Sequence, residues 1–223
     1  MVNTPVAPSS SVLVDLPEKR VTLHSVSWAA YEAILAALGE GRSTRLSYYK
    51  GVLEIMAPLE AHDNPKEVMG DFIKILVDEG DFAGIKSMGS TTLNDPQLRI
   101  GAEPDQGYYI ANEPQVRGKT VDLQTDPPPD LVLEIDITHT DINKNALYAE
   151  MGVPEFWRYN GRILTIYCLR NGGYEEVAVS PTFPYMTKER LYEFLQDCTQ
   201  VGEKQAKKTF RAWIKQQLAS QDA

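Results

Sequence analysis

The chain has 223 residues, 22 Lys and Arg against 31 Asp and Glu, and a formal net charge of −9. Hydrophobic residues make up 43% and charged residues 24%, proportions of a soluble globular protein that exclude a disordered tail, a collagen-like chain or a coiled-coil rod. The length is about one and a half times a typical domain, so the expectation is a mobile arm over residues 1–20 and one domain over 21–223. Two cysteines, Cys168 and Cys198, are too few for a disulfide framework and fit a reducing, cytoplasmic setting. The first residues lack a basic region and an apolar run of signal-peptide type. No stretch approaches the ~18 apolar residues of a membrane span, so no membrane partner is expected.

Ser27 precedes apolar residues at 28, 31, 34, 35 and 38, a helix face with a side-chain cap, closed by Gly39 and Gly41. Residues 45–58 read as a hairpin turning at Lys50-Gly51 and stopped by Pro58. From Asn64 or Pro65 to Glu79 the apolar spacing is helical. Ile85 to Leu93 reads as a strand, and Ala102 to Ile110 contains another, Asp105-Gln106-Gly107-Tyr108-Tyr109-Ile110. Residues 112–130 read as loop, ending in Asp126-Pro127-Pro128-Pro129-Asp130.

Leu131 to Ile137 is a β-branched, mostly apolar run of the buried central-strand type. Thr140 or Asp141 then caps a helix through Met151, with Gly152 in the left-handed position that ends it. Three strands follow, at 155–160, 162–169 and 174–179, with turns at Asn160-Gly161 and Asn171-Gly172-Gly173. Helices near 187–196 and 203–219 close the chain. The order predicts an α/β (α+β) fold, with a mixed central β-sheet flanked by helices and an N-terminal helix and hairpin.

Acidic residues on apolar strands carry the chemical signal. Asp105 follows Pro104 at a strand start. Glu134 lies inside the central strand, and the two-residue period puts Asp136 on the same face. A carboxylate there is costly unless it is paired, hydrogen-bonded or bound to a metal. A hard cation such as Mg²⁺ uses one or two carboxylates plus water and substrate oxygens, and assists phosphodiester cleavage. Lys144, ten residues after Glu134, lies on the next helix and can fold back to the strand end. There it would position water or stabilise developing negative charge. Taken singly, each has a plainer reading: a turn Asp, a paired strand Glu, a solvated helical Lys.

Together, Pro104-Asp105, Leu133-Glu134-Ile135, Lys144 with Tyr148, and Gly152-Val153-Pro154-Glu155-Phe156-Trp157 resemble the Uma-type family of restriction endonucleases. That family is abundant in cyanobacteria and lies in the PD-(D/E)XK nuclease superfamily. The hairpin Gly51 to Pro58 followed by His62 resembles its N-terminal signature, and the resemblance spans about residues 25–200.

The resemblance implies a restriction-endonuclease-like core and a Mg²⁺- (or Mn²⁺-) dependent endonuclease acting on DNA, with Asp105 and Glu134 as metal ligands. The superfamily places a lysine two residues after the Glu, where this chain has Asp136. The resemblance moves that role to the following helix, hence to Lys144. Glu67, on an early helix, is a third candidate ligand. His62, Asp136 and Tyr148 are candidate supporting residues. A homodimer is implied for cutting two strands, since two-fold dimers are the commonest soluble oligomers. The other reading, which the acid at 136 favours, is a catalytically silent nuclease-fold module or a partner-dependent subunit of a mobile-element or defence system.

Two smaller readings complete the sequence. Glu54 on the hairpin reads as a solvent-facing strand acid. The last helix carries Lys204, Lys207, Lys208, Arg211 and Lys215, which read first as a solvated amphipathic face and second as a phosphate-contacting patch.

Overall fold

The computed structural model describes residues 18–39, 41–89 and 91–221. Most of the arm expected over residues 1–20 therefore lies outside the described residues. Its end is a strand, β1 (Glu18–Leu23), paired antiparallel to the hairpin. The first helix, α1 (Trp28–Leu38), is capped by Ser27, whose Oγ accepts from the Ala30 N–H at 3.2 Å. The hairpin is β2 (Arg45–Tyr49) and β3 (Val52–Pro58). Its turn residues Lys50 and Gly51 both have positive φ, the geometry that two-residue hairpins need.

Helix α2 runs over Glu60–Glu79, earlier than the expected start at 64 or 65, and carries Pro65 inside it. Pro65 is the sixth helical residue, past the unpaired first amides, so it gives up one bond of the ladder near the helix start. The strand expected at 85–93 is divided into β4 (Lys86–Ser87) and β5 (Leu93–Asp95), while the one expected within 102–110 is β7 (Gln106–Tyr109), preceded by β6 (Ile100–Ala102). Pro104 separates β6 from β7, because it has no N–H to offer a ladder. The expected loop at 112–130 includes a short helix, α3 (Glu113–Val116).

The expected mixed central sheet is present, and the hairpin belongs to a second sheet beside it. The hairpin's sheet has five strands in the order β1-β3-β2-β6-β5. The central sheet has six, beginning with β11 (Gly173–Val177), β10 (Leu164–Arg170), β9 (Glu155–Tyr159) and β8 (Leu131–Ile135), then β7 and β4. Among the described residues only the β8–β9 pair is parallel, and a parallel pair needs a crossover. That crossover is α4 (Lys144–Glu150), capped by Asn143 rather than by Thr140 or Asp141. The Gly152 after it has φ 78°, as its position predicts. Helices α5 (Lys188–Val201) and α6 (Glu203–Gln221) end the fold.

The alternation along β8 separates two cores. Leu131, Leu133 and Ile135 face α2, α5 and α6, packing with Met69, Phe72, Phe194 and Phe210. Phe72 stacks on Phe210 with ring centroids 4.2 Å apart. Val132 faces the other way, toward Leu147 and Tyr148 of α4 and toward Tyr49, Leu93 and Ile100 of the five-stranded sheet. Each such side chain stabilises the fold by about 1.5–3 kcal/mol. Tyr31 of α1 covers Leu46, Tyr48 and Leu53. A Cβ at Gly101 would lie 2.0 Å from the Tyr31 hydroxyl, so only glycine fits beneath that ring.

No described helix is long and apolar enough to cross a membrane.

Candidate active site

Asp105 stands where the chain passes from one sheet to the other. In the β7–β8 register Gln106 faces Leu133, so two steps on Pro104 would face Ile135. The Asp105 carboxylate takes that rung instead, with Oδ2 accepting from the Ile135 N–H at 2.6 Å. The side chain is buried, and its Oδ1 is ion-paired to Arg45, the first residue of β2. Residue 105 is thereby fixed beside the strand position that follows Glu134.

Glu134 and Asp136 project to the same side, as the two-residue period predicts, and Lys144 joins them. The Lys144 Nζ lies 2.8 Å from Glu134 Oε2 and 2.8 Å from Asp136 Oδ1. One turn along α4, the Tyr148 hydroxyl donates to Glu134 Oε1 at 2.5 Å. The parallel register sets Arg158 of β9 opposite Glu134. From there its Nε donates to Asp136 Oδ2 at 2.8 Å. Arg20 of β1 reaches Asp136 at 3.9 Å and Glu54 at 2.5 Å.

Burial decides the protonation states only together with these partners. Burial alone would lower the Lys144 pKa; Asp136 and then Glu134 outweigh it and hold the ammonium above the ordinary lysine value. Burial alone would raise Asp136; Lys144, then Arg158 and Arg20, hold it below the usual carboxylate range. Burial and the Glu134 charge push Tyr148 well up, so its hydroxyl keeps its proton and acts as a donor. The result is a charge-closed cluster of four acids, Asp105, Glu134, Asp136 and Glu54, against four bases, Arg45, Lys144, Arg158 and Arg20.

Glu54 corrects the sequence reading. It is 2% exposed, because β3 is covered by the loop that follows β8. Its Oε1 accepts from the Asp141 N–H at 2.6 Å, and its Oε2 from the Thr140 hydroxyl at 2.8 Å. Those bonds also explain why Thr140 and Asp141 do not cap α4. Arg20, Arg45 and Arg158 were missed as well. The available signal was the one used for the acids, since Arg158 follows Phe156 and Trp157 on an apolar strand.

A second buried carboxylate, Glu155, has a different character. It accepts from the Trp157 indole, the Ser180 hydroxyl, and the amide and hydroxyl of Thr182 at 2.6–3.0 Å. Four neutral donors satisfy it, so it serves to fix the segment after β11.

Glu67 is not brought to Glu134. It lies on α2, which covers the opposite face of β8, and its side chain is 64% exposed. A chain of ion pairs links it to Asp105. Lys66 bridges Glu67 and Asp63 at 3.1 Å each, and Asp63 lies 3.7 Å from Arg45. The His62 side chain lies outside the described residues. On α6, Lys207 pairs with Asp71, Arg211 with Asp78 and Glu79, and Lys215 with Glu79. Those cations are largely spent joining α6 to α2, which favours the first reading of that face.

Beside Arg45, the ion-pair partner of Asp105, opens a cleft of about 680 Å³; Asp105 and Glu134 do not themselves line it. Arg42, Arg45 and Lys66 line it together with the acids Asp63 and Glu103 and the hydroxyls of Ser43, Thr44, Thr91, Thr92 and Thr120. Among the described residues no three His, Cys, Asp or Glu side chains gather closely enough to hold a metal by themselves. The donor chemistry of Asp105 and Glu134 nevertheless fits a hard cation. Both are buried carboxylates, each holds a cation on one oxygen, and Mg²⁺ needs no more than one or two carboxylates when water completes its shell.

The model of a protein family, Uma2, described as "Putative restriction endonuclease", matches residues 28–196. No curated protein matches the chain.

Proposed function

The chain belongs to the Uma2 family, whose match covers most of its length, and from that premise we propose that it is a metal-dependent endonuclease hydrolysing phosphodiester bonds of DNA. The observation that carries this reading is the meeting of residues far apart in sequence. Asp105 is hydrogen-bonded to the residue after Glu134, and the Glu134 carboxylate carries the Lys144 ammonium.

In this reading Asp105 and Glu134 hold Mg²⁺ or Mn²⁺, and the ion when bound lowers the pKa of a water and offsets phosphate charge. Lys144 stays charged and directs an N–H toward the Glu134 carboxylate, where it stabilises negative charge on a reacting oxygen. Tyr148 fixes the rotamer of Glu134 through its hydroxyl. Asp136 holds Lys144 and Arg158 in place, which gives the acid at this position a positioning role. The polar, hydroxyl-rich cleft, with Arg42, Arg45 and Lys66 among its lining, accepts the sugar–phosphate backbone; among the described residues none that lines it is aromatic, which favours backbone contacts over base stacking. A two-fold dimer would supply two such sites for two strands.

The test is cleavage of plasmid and oligonucleotide DNA in Mg²⁺ or Mn²⁺, with chelator controls. Asp105→Ala and Glu134→Ala should each abolish it, and metal-dependent cutting that survives either change overturns the assignment. The charge-closed cluster also favours a second reading, a silent binding module that has exchanged its metal for internal cations. Absence of metal binding by calorimetry, with and without DNA, would support that module.

A further inference from the structure

We infer that Arg45 is the exchangeable occupant of the metal position on Asp105, and that a divalent cation enters by displacing this guanidinium into the cleft. The inference rests on the proposed metal-dependent reading of the site.

Asp105 has one oxygen committed to the Ile135 amide and the other to Arg45. The first bond replaces a rung of the sheet, so it is fixed. The oxygen facing Arg45 is held by an ion pair rather than by a sheet rung, and can be surrendered to another cation. Of the basic residues around the cluster, Arg45 is the one with both a carboxylate of the site and an alternative acceptor on the cleft side. Its Nη2 is already 3.7 Å from Asp63, whose side chain is 44% exposed. Lys144 differs. It is buried between Glu134 and Asp136, so leaving one of them still keeps it on the other. Arg42 lines the same cleft but is bound to Glu103 and to the Gly39 carbonyl, far from any exchange with Asp105.

Two consequences follow from charge. In the absence of DNA a metal must compete with a preformed buried ion pair, which weakens its binding. Once displaced, the guanidinium lies in the cleft beside Arg42 and Lys66, where a phosphodiester is the anion that would hold it. Metal and backbone phosphate then favour each other's binding through one side chain.

The experiment is Mn²⁺ and Mg²⁺ titration calorimetry of the full chain without DNA, on the wild type, Arg45→Gln and Arg45→Lys. Arg45→Gln is expected to bind at least tenfold more tightly than wild type, and Arg45→Lys close to wild type. Equal or weaker binding by Arg45→Gln, with the wild type binding normally, overturns this inference and leaves the metal reading standing. No binding by any of the three without DNA overturns this inference, and no binding when DNA is added as well overturns the metal reading too. A measurement on the wild type guards against a misfolded variant. With ¹⁵N-labelled arginine, the Arg45 Nε–H signal, assigned by its absence in Arg45→Lys, should shift and exchange faster with water when Mg²⁺ is added. An unmoved signal under saturating metal refutes the displacement.

Discussion

Lys144→Met tests whether the buried ammonium is the counter-charge that lets two acids sit on an apolar strand. The side chain is 5% exposed and lies 2.8 Å from each of Glu134 and Asp136. Removing one member of a buried ion pair costs about 3–5 kcal/mol, because the remaining charge is stranded. Here Asp136 keeps Arg158 and Arg20, and Glu134 keeps the Tyr148 hydroxyl, so the lower end, about 3 kcal/mol, is expected. The cluster is then one negative charge in excess. Adding Glu134→Gln restores the balance, so the double variant should be more stable than the sum of the single changes by about 1.5 kcal/mol. Urea unfolding followed by circular dichroism, in metal-free buffer, measures all four species. A loss below about 1 kcal/mol for Lys144→Met, well under the expected range, or strict additivity in the cycle, would mean that the lysine is solvated and that the electrostatic argument is wrong. The result also bears on activity assays, since a dead Lys144 variant is informative only if it is folded.

Other perturbations read separate parts of the structure. Glu54→Gln should release the loop between β8 and α4, and the Asp141 and Ile142 amides should exchange with deuterium about tenfold faster, as loss of roughly 1.4 kcal/mol implies; unchanged protection would show that Glu54 does not hold the loop. Asp136 has its folded pKa below the ordinary value, so its contribution is complete above an unfolded pKa of about 3.9 and is lost as pH falls through the folded value. The acid limb of stability should therefore be shallower in Asp136→Asn, and an identical limb would refute the pairing. Burial, and then Glu203, push the Cys198 thiol up to about 11. At pH 8 its alkylation should run on the order of a hundredfold slower than that of a free thiol, and ordinary reactivity in a mass-resolved assay would show the site to be open.

The elements that could be read from the sequence were those whose local signals agree. Ser27 before an apolar stripe, Lys50-Gly51 between alternating strands, and a β-branched run from Leu131 each specify their structure without distant help. The placement of Glu134, Asp136 and Lys144 on one face also followed from local geometry, since a strand and the helix after it are joined by a short connection. What could not be read is what depends on partners remote in the chain. Glu54 looks like any hairpin acid until β1 and the 138–142 loop close over it. The division of residues 102–110 between two sheets had a cue in Pro104, but the sequence does not say that Asp105 would replace the lost rung. Arg45 is a strand-start arginine whose importance depends on a carboxylate sixty residues away. Glu67 lies away from Glu134 for the same reason: helical periodicity gives a face, but not which side of the sheet the helix covers.

The crossover from β8 through α4 to β9 has a consequence for how this chemistry can vary. Glu134, Asp136, Lys144, Tyr148 and Arg158 all belong to one strand–helix–strand unit, and an ammonium delivered from the helix touches the same carboxylate that a neighbouring strand residue would. The origin of the charge is thus interchangeable between two backbone positions eight residues apart, with no change in topology. A lysine can leave the strand, and an acid can replace it, provided that the helix supplies the lost charge. Spacing along the strand is then a poor guide to whether such a site is intact. The better criterion is whether a cation from any neighbouring element reaches the strand glutamate.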